Sequence, residues 1–149
     1  MSFDWNLYLP LAQELAARND QAARRTAVSR AYYSAFHMAS IVLRTNGIRT
    51  NPRHDGHPHQ AVWNIFATSP NRDCKKIGTY GVRLRDARHW ADYKADPEFS
   101  DALVQQYLAE AQHVIANADN PLPVGFTGAS RQRDNRFVEL FHCLKKLVR

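Results

Sequence analysis

An all-α fold is predicted for this 149-residue sequence by three observations. Apolar residues recur three and four apart through nearly every segment. No run of alternating apolar and polar residues is bounded by hairpin turns, so strands are not expected. The breaks in periodicity fall on helix stop and start signals: Asn46-Gly47, Ser69-Pro70-Asn71 and Asp96-Pro97. A hydrophobic content of 44% and a charged content of 23% fit one globular domain with a core of ordinary size.

The first helix is expected over about residues 4–18, with Leu7, Leu11 and Leu15 four apart. Pro10 either kinks it or marks its true first turn, where a missing N–H costs nothing. Asn19 or Asp20 caps a long second helix that runs to about Arg44 and leaves through Asn46-Gly47 in a left-handed turn. A polar loop from Thr50 to Gly56 leads to a short helix over about Pro58 to Ala67. Ser69-Pro70-Asn71 opens a fourth helix, to about Ala95, with Ile77, Leu84 and Ala91 seven apart. A fifth spans about Ser100 to Ala118 and aligns Leu103, Tyr107, Val114 and Ala118. After a Pro/Gly loop beginning at Asn120, Phe137, Leu140, Phe141, Leu144 and Leu147 mark an extra, basic amphipathic helix at the C-terminus.

Twenty Lys and Arg residues against fourteen acidic ones give a formal charge of +6, most of it from Arg. Arg suits planar, bidentate phosphate contacts, so an anionic partner is one reading and a mildly basic soluble surface is the other. Cys74 and Cys143 are too few and too far apart for a disulfide framework or a zinc site. The opening Met1-Ser2-Phe3-Asp4-Trp5 carries no signal-peptide pattern and no run of about eighteen apolar residues occurs. A cytoplasmic protein without membrane association is the expectation.

The second helix holds the candidate site. At about 100° per residue, Val28, Tyr32, Ala35, Ala39 and Val42 fall within a band about 80° wide, which is the core face. Arg30 and His37 lie about 20° apart on the same wheel, with Ser34 close by, on a face almost opposite that band. They stand about 10 Å apart along the axis, within reach of one anion. Arg supplies a permanent charge and a donor fork, and His exchanges a proton near neutrality. Cleavage of RNA without a metal needs these two functions, since a 2′-hydroxyl must lose a proton and charge on phosphorus must be neutralised. Read without context, the pair is equally a solvated polar face.

The wording of Ser29-Arg-Ala-Tyr-Tyr-Ser-Ala-Phe-His37-Met-Ala resembles the signature helix of HEPN-domain proteins, marked by Arg, four to six residues, then His; here it is Arg30-x6-His37. Arg88-His-Trp-Ala-Asp92-Tyr93, the opening Phe3-Asp4-Trp5, and Gly56-His-Pro-His-Gln60 are similar to the same group, so the resemblance covers about residues 3–118. It implies an up-and-down bundle of four or five helices over residues 1–118, with 119–149 as an addition. It further implies a homodimer whose two Arg-His motifs meet in a cleft, and no cofactor. The implied activity is a metal-independent endoribonuclease of toxin-antitoxin or antiphage-defence type. The implied roles are phosphate stabilisation for Arg30, proton transfer for His37, and positioning by Ser34 or Tyr33. A minimal nucleotidyltransferase acting as antitoxin is the implied partner. The alternative is a HEPN module that binds a nucleotide or such a partner without chemistry. Ala31 stands where active ribonucleases of the family commonly carry a polar residue. Ala39 stands where toxins silenced by nucleotide addition carry the acceptor Tyr.

Arg85 and Arg88 are further candidates for contacting nucleic acid, and Arg88 and Asp92 are spaced for an ion pair along the fourth helix. Asp92 and Tyr93 read as residues that hold that helix to the second. His54, His57 and His59 invite a metal reading, but without a persuasive further ligand no metal site is expected. Gly78 and Gly81 sit inside a helical pattern and point to close helix packing or a kink.

Overall fold

The computed structural model describes residues 2–50 and 57–118. The expected loop over 51–56 and the C-terminal loop and basic helix over 119–149 lie outside the described residues. Those described form a 3₁₀ turn, Trp5–Leu7, and five helices: α1 Tyr8–Ala16, α2 Gln21–Thr45, α3 Pro58–Ala67, α4 Arg72–Tyr93 and α5 Asp101–Ala118. No strand occurs among them, and none of the helices is long and apolar enough to cross a membrane.

Helix boundaries follow the local chemistry. Asp4 caps the 3₁₀ turn by accepting from the N–H of Asn6, and Pro10 lies in the first turn of α1, so no kink is needed. The Asp20 carboxylate accepts from the N–H of Ala23 at 2.7 Å and starts α2. Gly47, at φ 73°, ends that helix; its N–H reaches the Arg44 carbonyl and that of Ile48 the Leu43 carbonyl. Asn71 accepts from the N–H groups of Asp73 and Cys74 to start α4.

α2 is the central element, packed against each of the other helices and the 3₁₀ turn. Its predicted core band, Val28, Tyr32, Ala35, Ala39 and Val42, is buried throughout. A second seam of small residues, Ala23, Ala27, Ala31 and Ser34, is also buried. On α1 the inward residues are Ala12 and Ala16, while Leu7 is 58% and Leu11 39% exposed. Alanines let the α1 and α2 backbones approach closely, which a ranking of residues by hydrophobic bulk does not show.

The face of α2 opposite the core band is therefore not spare surface. The N-terminal segment covers it, and Ser34, placed there with Arg30 and His37, is fully buried and donates to the Trp5 carbonyl at 3.0 Å. Ala31 is fully buried as well. A polar side chain at that position would lose its solvation inside the seam.

The α4 glycines mark close packing, as their setting suggested. A Cβ on Gly78 would lie 2.3 Å from the Ala67 backbone nitrogen, and one on Gly81 would lie 2.0 Å from the ring of Trp63. Trp63, the largest wholly buried side chain, thus sets how near α3 comes to α4. Arg83 pairs with the buried Glu110 at 2.9 Å and ties α4 to α5.

Arg25 performs the most concentrated anchoring. Its Nη1 donates to the carbonyls of Trp90, Ala91 and Lys94, and its Nη2 to those of Ala95 and Pro97. Its guanidinium also lies 5.4 Å from the centroid of the Phe99 ring. One cation thereby gathers the carbonyls at the end of α4 and the turn that follows, where a positive charge also suits the helix dipole. Beside it, Gln21 exchanges two hydrogen bonds with the backbone of Phe99. Arg25→Ala is expected to destabilise the fold by about 3 kcal/mol, read as a lower urea midpoint at unchanged slope. An unchanged midpoint would show that water replaces the guanidinium without loss.

Candidate active site

Tyr33, one turn after Arg30 and one before His37, is the hub of the site. The Arg30 guanidinium lies 5.2 Å from its ring centroid and 4.9 Å from that of Tyr8. The Arg88 guanidinium, arriving from α4, lies 5.6 Å from the Tyr33 ring. The His37 ring is stacked near Tyr33 with centroids 6.2 Å apart, and His59 stands edge-on to it at 6.1 Å. Cations over aromatic faces are held by the ring quadrupole without being neutralised, so their charge stays available to an anion.

Arg30 makes no ion pair among the described residues; its one hydrogen bond there runs from Nη2 to the Ser29 hydroxyl at 3.3 Å. Its Nε is buried without a hydrogen-bond partner among the same residues, as is that of Arg88. His37 stacks on Trp5 with centroids 3.5 Å apart, and burial lowers its pKa from the ordinary 6.5. A neutral imidazole is the form that accepts a proton.

Arg85 and Arg88 line a cleft of about 440 Å³ together with His57, His59, Gln60 and Asp86. Arg85 forks onto its neighbour Asp86 at 2.8 and 3.1 Å. Arg88 pairs with Asp92 at 3.8 Å, and Asp92 in turn accepts from Ser29 of α2 at 3.3 Å. Asp92 therefore holds α4 to α2 as expected. Tyr93 is 68% exposed and, among the described residues, packs along its own helix on His89 and Arg88, so the expectation that it shares this duty is corrected.

The structure thus gathers Arg30, Tyr33, His37 and Arg88 around one ring, with Arg85 further along the Arg88 side. Ser34 stays apart from them, beneath Trp5. No protein-family model and no curated protein sequence matches the chain.

The site's geometry adds His59, which the sequence offered within a metal set and in the Gly56-His-Pro-His-Gln60 run but not as a site residue. Among the described residues no cluster of His, Cys, Asp or Glu has metal-holding geometry. His59 instead stacks on Phe36 at 4.1 Å, and its Nδ1 lies 2.6 Å from the Tyr32 hydroxyl. Desolvation first, and then the charges of Arg88, His57, His37 and Arg85, lower its pKa from 6.5 to about 4. Its sequence signals were the Gly56-His-Pro-His-Gln60 run and its place beside Pro58 at the start of an amphipathic helix.

Because His59 resists protonation only when folded, acid favours the unfolded chain. The contribution of His59 to stability is expected to be full above pH 6.5, to fall as pH drops below that value, and to be lost below about 4. The lowered pKa values of His37 and His113 act in the same direction. Thermal melts across this window test the prediction, with His59→Gln showing a shallower fall; an equal slope in that variant would remove His59 from the account.

Proposed function

We propose that the protein is a HEPN-like endoribonuclease, a toxin or antiphage-defence component, that cleaves RNA without a metal through Arg30 and His37. The observation that carries this reading is the pairing itself. A neutral imidazole and a guanidinium with no carboxylate partner among the described residues flank the ring of Tyr33 on α2.

In this mechanism the unprotonated His37 takes the proton of a ribose 2′-hydroxyl. The freed oxygen attacks the adjacent phosphorus, and the bond from phosphorus to the 5′-oxygen breaks. The leaving oxygen collects a proton from water or from a second imidazole. The products are a 2′,3′-cyclic phosphate and a 5′-hydroxyl. Arg30 bears on the charge that gathers on the non-bridging oxygens, Tyr33 positions both groups, and Arg88 and Arg85 hold the flanking strand. The HEPN-like bundle acts as a homodimer that brings two such pairs to one cleft, under control of a nucleotidyltransferase-type antitoxin.

The test is cleavage of a mixed RNA by purified protein in the presence of a chelator, alongside Arg30→Ala and His37→Ala. Cleavage with cyclic-phosphate ends, reduced by orders of magnitude in both variants and absent from a 2′-O-methylated substrate, is the expected result. Equal cleavage by either variant would remove that residue from the mechanism. One observation favours a second reading, a HEPN module that binds a nucleotide or a partner without chemistry: Trp5 covers a face of His37 at 3.5 Å. RNA binding without turnover at any pH would select it.

A further inference from the structure

We infer that the cleft between the start of α3 and the second half of α4 is a separate phosphate subsite, in which His59 acts as a fixed N–H donor beside Arg85 and Arg88. The inference rests on the ribonuclease reading only for the source of the phosphate.

Tyr32 is fully buried, so its O–H must find an acceptor within the protein. Trp63 Nε1, 3.5 Å away, is a donor and cannot serve. His59 Nδ1 lies at 2.6 Å and is the acceptor in reach among the described residues. Tyr32 therefore donates to Nδ1, and the neutral imidazole carries its proton on Nε2. His59 lines the cleft with its Nδ1 edge occupied, leaving Nε2–H as its free polar group. A donor held by a buried relay and kept neutral does not lose its geometry as pH changes near neutrality.

The two arginines supply the charge. Arg88 carries a buried Nε without an acceptor among the described residues, and its pairing with Asp92 is long, at 3.8 Å. Arg85 is held by Asp86, which also lines the cleft, so an incoming anion competes with that carboxylate. His57, Gln60, His89 and Trp90 complete the wall, with the Gln60 amide already donating to Asn64 at 2.6 Å. A tetrahedral oxyanion with several acceptor oxygens matches this set, and a carbonyl or a cation does not. Arg30 and His37 lie around Tyr33 on α2 and do not line this cleft, which meets that ring through Arg88 and the edge of His59. The subsite therefore takes a phosphate other than the one cleaved.

The experiment uses the full chain labelled in its histidines. A long-range proton–nitrogen spectrum assigns the His59 tautomer, and titrations with inorganic phosphate and with a short 2′-O-methylated RNA follow its resonances. The Nε2–H tautomer is expected, converting to a mixture in Tyr32→Phe, with a saturable shift of His59 on titration. Arg85→Gln, a change at a partly exposed side chain, weakens binding about tenfold. Asp86→Asn releases Arg85 and tightens it. A shift with RNA alone supports a subsite for a phosphodiester, and a shift with both probes a subsite for phosphate as such. An Nδ1–H tautomer, no shift with either probe, or equal affinity in Arg85→Gln overturns the inference. Cleavage is not measured here, so loss of the ribonuclease reading leaves the result interpretable, and the reverse holds for the His37→Ala assay.

Discussion

His37→Ala is expected to lower kcat/KM for RNA cleavage by about 10³-fold, in the middle of the range that a positioned acid or base contributes. The loss arises because no other imidazole among the described residues stands in its place. His59, the nearest alternative around Tyr33, has its Nδ1 committed to Tyr32 at 2.6 Å. The pH profile of the wild type carries a sharper signature. Burial lowers the His37 pKa below 6.5, so the acid limb of kcat/KM, which reports the free enzyme, is expected below that value. Arg30→Ala should cost about 10²-fold and leave the position of that limb unchanged, since its part is to stabilise charge rather than to move a proton. An acid limb above pH 6.5, or one that persists in His37→Ala, would assign the proton transfer elsewhere.

Gly81→Ala is expected to destabilise the fold by about 2 kcal/mol and to lower Tm by several degrees. In an open helix the same change stabilises by about 1 kcal/mol, because glycine is the poorer helix former. Here the new methyl would stand 2.0 Å from the Trp63 ring, and Trp63 is wholly buried with no free space to yield. The displacement would propagate to Tyr32, whose hydroxyl accepts from Trp63, and through it to His59. Thr79→Ala, on the exposed side of α4, is the control and should leave stability nearly unchanged. Equal or higher stability in Gly81→Ala would mean that α3 and α4 are not in close contact.

Much of the helical order was legible because the punctuation is strong. Asp20, Asn71 and Gly47 act through bonds to residues within a few positions, so their meaning is complete in the sequence. The Val28, Tyr32, Ala35, Ala39 and Val42 band was legible for the same reason, since a helix repeats every 3.6 residues whatever it packs against. Asp92 was legible as a tie to the second helix, whereas its neighbour Tyr93 was not, because exposure depends on whether another element arrives above a residue.

By itself, the sequence determined the all-helical character of the described residues, the bounds of their helices to within a few residues, and the placing of Arg30 and His37 on one face of α2. The tertiary structure decided what that face meets. It buried Ser34 beneath Trp5, brought Arg88 to Tyr33, set His59 on Tyr32, and spread Arg25 over five carbonyls of a distant turn. The division has one physical cause. Capping and periodicity are short-range and repeat along the chain, whereas burial, cation–aromatic contact and proton sharing depend on elements remote in sequence meeting in space.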